Sequence, residues 1–352
     1  MTNSNAIKRP FIIAGPCSAE TEEQVMETAM RLKAGGQVDL LRAGIWKPRT
    51  RPNSFEGVGE IGLPWLIRAG KQTNLPVITE VANAKHVEAT LKAGFTHLWI
   101  GARTTVNPFA VQEIADSLRG TGTKIWVKNP INPDLNLWIG GIERLKNVGL
   151  TDVNAIHRGF SSVQHKTYRN DPMWEIPLAL KTEFPSIQLI CDPSHITGKR
   201  DLLQPVAQKA MDLIYDGLMI ESHIDPDQAW SDAAQQVTPE RFTELISSLI
   251  LRSEQANEST INEDLKSLRL SIDEIDEEIT ALIAQRMKVA EEIGAYKKEH
   301  QITILQPKRW EVIKKKQLEY GQEKGLSIKF LVKYLEALHQ ESIRHQTAVM
   351  NK

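Results

Sequence analysis

The first 250 residues alternate between short apolar runs and longer stretches in which apolar and polar positions trade places every three or four residues. The runs fall at residues 11–14, 38–41, 77–79, 97–100, 125–127, 153–156, 188–191 and 218–220. Short runs bounded by turn residues predict strands, and the stretches between them predict amphipathic helices. Regular strand–helix alternation predicts a parallel sheet. Eight such units in about 250 residues match the size of a (β/α)8 TIM barrel. A doubly wound open sheet is the alternative that the pattern alone leaves open.

The pattern changes near residue 260. Residues 263–352 hold 31 charged residues but only 3 of the 21 Gly and 1 of the 17 Pro. Charged helix formers with few turn residues predict long helices. We therefore expect a barrel domain over residues 1–252, a polar linker over 253–262 and a small all-α domain over 263–352. From Leu265 the apolar positions run 265, 268, 272, 275, 279, 282, 289 and 293. This alternation of threes and fours is a heptad seam. It predicts a helix to about Lys298, roughly 50 Å long at 1.5 Å per residue.

Arg286 and Lys297 interrupt that seam on one face. In the last helix, Ser327 is the expected N-cap. Ile328, Leu331, Leu335 and Leu338 form its stripe, which Ser342 and Gln346 continue. Two cations and two hydrogen-bonding groups at core positions predict a buried polar pocket holding an anion, since an unpaired buried cation is costly. Polar residues that fix coiled-coil register are the alternative.

Composition narrows the function classes. The 352 residues are 41% hydrophobic and 25% charged, with a net charge of −1. That balance gives no general affinity for nucleic acid or anionic membrane. No apolar run approaches the ~18 residues of a membrane span, and residues 1–10 lack the apolar core of a signal peptide. Two cysteines, Cys17 and Cys191, exclude a disulfide framework and point to a reducing, cytoplasmic setting.

In a barrel of this kind the active site is built at the C-terminal ends of the strands. Those positions hold Cys17, then Arg42, Lys47 and Arg49, then Glu80, Arg103, Lys128, His157 with Arg158, Asp192 with His195, and Glu221, with Asp232 on the following loop. Six of these are cations, and converging them is unfavourable unless anions fill the site. Arg and Lys clamp phosphate and carboxylate, so a strongly anionic substrate, or two, is expected. Cys17, His195, Glu221 and Asp232 form a second set. One thiolate, one imidazole and two carboxylates suit a first-row divalent metal. Each also has a plainer reading, as a packed thiol, a loop cap or an ion-pair partner.

The motifs Ala-Gly-Pro-Cys17-Ser, Lys47-Pro-Arg-Thr50, Gly101-Ala-Arg103, Asp192-Pro-Ser-His195 and Asp216-Gly-Leu-Met-Ile-Glu221 together resemble the 3-deoxy-D-arabino-heptulosonate 7-phosphate (DAHP) synthases, in their short-barrel subtype. The resemblance implies condensation of phosphoenolpyruvate with erythrose 4-phosphate, the first step of the shikimate pathway. It implies metal ligation by Cys17, His195, Glu221 and Asp232, with Mn2+ first and Fe2+, Co2+ or Zn2+ as others. Arg42, Lys47, Arg103, Lys128 and Arg158 match the phosphoenolpyruvate site, and Arg49 and Thr50 the erythrose phosphate site. Two positions depart from the usual pattern, Asn129-Pro130 and His157. The sister 3-deoxy-octulosonate 8-phosphate synthases are the nearest rival, and the sialic acid synthases a more distant one. Lys47-Pro-Arg-Thr50 disfavours the sister enzymes, which carry an Asn-rich motif there.

Residues 263–350 resemble the all-helical chorismate mutases, through Leu268-Arg-Leu-Ser-Ile-Asp273-Glu-Ile-Asp276 and then Arg286, Lys297, Arg309, Ser342 and Gln346. By this resemblance Arg269, Arg286 and Arg309 clamp the carboxylates of chorismate. Lys297 and Gln346 meet its ether oxygen, and prephenate is the product. It also implies a homodimer in which Arg269 crosses into the partner's site. Gln306 and Trp310 stand where the family carries Asp and Glu. A tail that only regulates the barrel, with prephenate as its feedback signal, is the second reading, and a plain dimerisation element the third.

Overall fold

The computed structural model describes residues 9–48, 54–162, 167–213, 215–252 and 259–351. The chain divides into two compact units, with the boundary after residue 254.

The first unit contains eight strands: β1 (Phe11–Gly15), β2 (Leu40–Arg42), β3 (Val77–Val81), β4 (His97–Ile100), β5 (Lys124–Lys128), β6 (Val153–His157), β7 (Leu189–Cys191) and β8 (Gly217–Glu221). Each pairs in parallel with its neighbours, and β8 closes against β1, Ile13 opposite Met219. The expected closed barrel is thus borne out over the open sheet. The second strand starts at Leu40, two residues later than its apolar run. The cause is Asp39, whose carboxylate accepts the Ile12 N–H at 2.8 Å and takes the place of a strand carbonyl.

Helices α1 (Glu22–Ala34), α2 (Gly62–Thr73), α3 (Ala84–Lys92), α4 (Ala102–Thr105), α5 (Pro108–Ser117), α6 (Leu135–Asn147), α7 (Glu175–Glu183), α8 (Pro193–Thr197), α9 (Leu203–Asp212) and α10 (Pro239–Ser247) follow the strands. Thr21, Asn83, Asn107, Asp134 and Thr238 cap five of them, each side-chain oxygen accepting a first-turn N–H. Such caps satisfy donors that have no intrahelical partner.

The core has two parts. Ile13, Leu40, Ile78, Trp99, Trp126, Ile156, Ile190 and Met219, one from each strand, fill the barrel interior. The alternate positions, such as Ile12, Leu41, Leu98 and Val127, join helix residues in the outer layer. Cys191 lies in that outer layer and is fully buried, a packed thiol.

The second unit holds α11 (Ser259–Glu299), α12 (Pro307–Glu323) and α13 (Ile328–Met350). The long helix starts at Ser259, four residues before the expected domain start. Ser259-Thr-Ile-Asn262 contains no Gly or Pro, so nothing in it breaks a helix. The rest of the expected linker, residues 253–258, lies outside the described residues. Ser327 caps α13, accepting the Phe330 N–H at 3.3 Å. Met287, Ala290, Gly294 and Lys297 of α11 are buried, as are Leu331, Leu335, Ser342 and Gln346 of α13. The two helices approach closely at Gly294, where a Cβ would stand 3.0 Å from Gln346 Cα. The heptad seam is not this face. Leu268, Ile272, Ile275 and Leu282 are 65%, 58%, 54% and 64% exposed within one chain.

At the site end of β1, Gly15 has φ +147°, and a Cβ there would stand 2.0 Å from Arg42 O. Gly15→Ala is therefore expected to destabilise the barrel by about 1–3 kcal/mol. A urea titration followed by tryptophan fluorescence reads this as a lowered midpoint; an unchanged midpoint contradicts the close approach.

Candidate functional site

Side chains on a strand alternate faces with period two. Two residues beyond the interior layer, the same face therefore presents Arg42, Glu80, Lys128, Arg158, Asp192 and Glu221 in turn. On β1 that position is Gly15, and Cys17 follows two residues later. After β4 it is Gly101, and Arg103 follows on α4. A Cβ on Gly101 would stand 2.1 Å from Glu80 Oε1, so the bare backbone leaves room for that carboxylate.

Buried ion pairs make the floor of the site. Arg42 and Lys128 flank the Trp99 ring, 5.0 and 5.7 Å from its centre. Trp99 donates its indole N–H to Glu80 at 2.9 Å. Arg42 Nη2 lies 3.1 Å from Glu221 Oε1, and Lys128 donates to Asp192 at 2.8 Å. Arg42 Nε and Nη1 are buried with no hydrogen-bond partner among the described residues. Above this floor, Lys47, Arg103, Lys128, Arg158 and Arg169 line one cleft with Glu80, His195 and Asp232. Burial pushes Arg158 down to about 10, and the neighbouring Arg169 and Arg103 add to this while Asp192 opposes it. A bound anion would relieve that repulsion.

The four metal-type donors meet in two pairs. Cys17 Sγ is 3.3 Å from Asp232 Oδ2, and His195 Nε2 is 3.8 Å from Glu221 Oε1. As they stand, no group of three such side chains closes into an ion site among the described residues. Lys47 Nζ lies 3.0 Å from Cys17 Sγ, beside the thiol. Burial and Glu221 push the Cys17 thiol up to about 12, against the pull of Lys47. Burial would raise Glu221 and Asp232, but positive charge outweighs it: His195 when protonated, Arg42 and Lys47 for the first, Lys47 and Arg169 foremost for the second. Both are held below the usual carboxylate range. Burial lowers His195, leaving a neutral imidazole.

The donors fit a divalent ion. They offer one sulfur, one neutral nitrogen and two carboxylates. Glu221 Oε1 is buried without a hydrogen bond among the described residues. Asp192 Oδ2 lies 2.8 Å from His195 Nδ1, and His195 Nε2 is on the Glu221 side. Arg49 and Thr50 lie outside the described residues.

In the helical unit, Arg286 Nη1 donates to Ser342 Oγ, and Lys297 donates to Gln346 Oε1 at 3.1 Å and to Ile304 O at 2.6 Å. These four residues are thus brought together by α11 and α13. Burial lowers Lys297. Gln306 shares a cleft with Lys297. Arg309 on α12 and Arg269 on the bare half of α11 are both exposed. Trp310 stacks on His339, ring centres 4.0 Å apart and 9° between planes. Burial lowers His339, and the charges of Arg286 and Lys297 add to this.

Comparison with known proteins now separates the two halves. Residues 6–256 match the profile of the DAHP synthetase I family. The chain belongs to that family. Residues 268–347 match the profile of chorismate mutase type II. A phospho-2-dehydro-3-deoxyheptonate aldolase of Thermotoga maritima is 32% identical over 235 residues, 67% of each chain. The crystal structure of the Thermotoga maritima DAHP synthase superposes with a TM-score of 0.61 at 30% identity, again over 67% of each chain. A 2-dehydro-3-deoxyphosphooctonate aldolase of Nitratidesulfovibrio vulgaris is 26% identical over 68% of this chain and 91% of its own.

For this DAHP synthetase family member, the sequence reading missed residues that hold the others in place. Arg169 bonds Asp232 and Gln235; Gln236 bonds the Cys17 backbone. They sit in loops far from any strand end, where no spacing marks them. Asn129, noted as a departure, accepts the Arg158 N–H at 2.7 Å and donates to Gly159 O at 2.8 Å. It staples the loop after β5 to the one after β6.

The other departure, His157, is fully buried, with both ring nitrogens used. Nε2 donates to Pro172 O at 2.7 Å, so Nδ1 accepts from the Tyr215 hydroxyl at 2.9 Å. Burial, with a smaller push from Arg158, lowers its pKa to about 3. The unfolded chain takes up this proton near pH 6.5, whereas the folded chain does not until about pH 3. Stability from this group is therefore complete above pH 6.5 and lost as pH falls toward 3, at about 1.4 kcal/mol per unit. Urea titrations at pH 6.0 and 4.5 should show a steeper acid loss in the unaltered chain than in His157→Gln. Equal slopes contradict the buried neutral histidine.

Proposed function

We propose that the chain is a bifunctional, cytoplasmic enzyme of aromatic amino acid biosynthesis. In the barrel, phosphoenolpyruvate and erythrose 4-phosphate condense to DAHP with release of phosphate. In the helical unit, chorismate rearranges to prephenate. The observation that carries the first reading is the cleft of five cations over a buried floor that also supplies a sulfur, a nitrogen and two carboxylates.

Phosphoenolpyruvate carries a phosphate and a carboxylate, and Arg103, Lys128 and Arg158 offer the charge and the forked donors to clamp both. Arg42, with two buried donors that have no hydrogen-bond partner among the described residues, serves from below. Arg49 and Thr50 are assigned to the phosphate of the second substrate. Holding the C3 of the enol phosphate against the aldehyde carbon supplies proximity. Water adds at C2, and phosphate leaves with its charge met by the same cations. No covalent nucleophile is needed. Family membership implies metal dependence, and Cys17, His195, Glu221 and Asp232 would hold the ion, which supplies Lewis acidity toward the aldehyde oxygen. Mn2+ is the first choice, with Fe2+, Co2+ or Zn2+ as alternatives. Cys17 must lose its proton to bind it, and Lys47 stands beside the sulfur to balance the charge.

An octulosonate phosphate synthase is disfavoured by Lys47-Pro-Arg-Thr50 and by the lower identity to those enzymes. In the helical unit the rearrangement is unimolecular and needs only a compact conformer and donors toward the developing charge on the ether oxygen. Lys297 and Gln346 stand together for that role, with Arg286 and Ser342 beside them, and Arg309 is assigned to a substrate carboxylate. The exposed seam of α11 supports a homodimer. Burying it against the same helix of a second chain would carry Arg269 into the partner's site. Prephenate held in the helical unit would be a natural feedback signal to the barrel.

No helix among the described residues is long and apolar enough to cross a membrane.

Exhaustive chelation should abolish DAHP formation, and Mn2+ should restore it, while chorismate consumption continues throughout. Full condensation in verified metal-free protein would sink the ligand set. Lys297→Ala should lower mutase turnover ~10²–10³-fold; a wild-type rate would refute the pocket. Ile275→Asp, on the bare seam, should convert a species of twice the chain mass into one of the chain mass in sedimentation, with loss of mutase activity. A monomeric unaltered chain with full mutase activity would contradict the dimer.

A further inference from the structure

The two carboxylates of the metal site are joined by a bridge that is buried at its Glu221 end. Arg169 Nη1 donates to Asp232 Oδ1 at 2.9 Å and to Gln235 Oε1 at 2.7 Å. Gln235 Nε2 then donates to Glu221 Oε2 at 2.6 Å. Gln235 is 1% exposed and Glu221 fully buried. The amide has one tenable orientation. Flipped, it would set its NH2 against a guanidinium and its oxygen against a carboxylate.

The bridge engages one oxygen of each carboxylate. Glu221 Oε1 makes no hydrogen bond among the described residues and lies 3.1 Å from Arg42 Nη2 and 3.8 Å from His195 Nε2. Asp232 Oδ2 lies 3.3 Å from Cys17 Sγ. The oxygens outside the bridge are the ones that face the thiol and the imidazole. The backbone gives a second sign of constraint. Asp232 is in the left-handed region at φ +48° and ψ +38°, a conformation that persists only where its surroundings hold it. Gln236 contributes by accepting the Cys17 N–H at 2.9 Å and donating to Ser231 O at 2.8 Å.

We propose that Gln235 and Arg169 are positioning residues that reserve one oxygen of Glu221 and one of Asp232 for the protein and present the other of each to the divalent ion. The proposal rests on the ligand set of the proposed function. Without the bridge, each carboxylate can rotate and the ion loses two oriented donors. Outer hydrogen-bond partners of metal ligands typically contribute 10–100-fold in affinity.

The test is Co2+ binding to the full chain, by competition with a chromophoric chelator and by the thiolate-to-Co2+ charge-transfer band. Gln235→Leu and Arg169→Met should each weaken Co2+ binding about 10–100-fold. The band should still appear at saturation, because Cys17 is untouched. The double variant should be little weaker than either single one, since residues in one network do not act additively. Arg169 is 44% exposed, so Arg169→Met decides the matter if Gln235→Leu fails to fold. Wild-type affinity in Arg169→Met, with a normal band, would overturn the bridge alone. Absence of the band in the unaltered chain would overturn the ligand set and the bridge with it.

Discussion

Strand pleating governs everything at the barrel mouth. Successive side chains point to opposite faces, and closing eight parallel strands gives one of those faces an enclosed interior. The layer from Ile13 to Met219 fills that interior and fixes the phase of every strand. Once the phase is set, the next inward position on each strand must open at the C-terminal mouth. Arg42, Glu80, Lys128, Arg158, Asp192 and Glu221 occupy those positions for that reason. Slipping any strand by one residue would turn its site residue into the outer apolar layer.

Such a ring of charges is stable only because it is nearly balanced from below. Glu221 answers Arg42, Asp192 answers both Lys128 and His195, and both cations lie over the Trp99 ring. Breaking one partner of a buried pair leaves an uncompensated charge, which is more damaging than never having had the pair. Above the floor the balance is left incomplete. Arg103, Arg158 and Arg169 face one cleft, and Arg158 is depressed by their charges as well as by burial. The electrostatic strain is concentrated where an anionic substrate would sit.

The sequence carried the barrel and its strand-end residues because both depend on local periodicity. All eight apolar runs became strands, with ends shifted by one or two residues in all but β4, and at β2 the start moved because Asp39 offers a side-chain carboxylate to Ile12. Residues that act through tertiary loop paths were not legible. Arg169 lies twelve residues past the end of β6 and Gln235 fourteen past the end of β8, and neither sits in a recognisable spacing. In the tail, the seam of α11 was legible as a stripe, but its partner was not. α13 packs instead on Met287, Ala290 and Lys297, offset from the stripe, because Gly294 permits the close approach there. Trp310 could be read only as a departure; its stack on His339 is a tertiary fact.

The central claim is that the inward strand-end positions form one site for a divalent ion and an anionic substrate. The most direct measurement is a crystal structure of the full chain with Mn2+ and phosphoenolpyruvate, with the ion located by its anomalous scattering. The account predicts one Mn2+ peak within bonding distance of Cys17, His195, Glu221 and Asp232, and the phosphate of phosphoenolpyruvate on Arg103, Lys128 or Arg158. A peak bound elsewhere, or a phosphate lying outside that cleft, would contradict it.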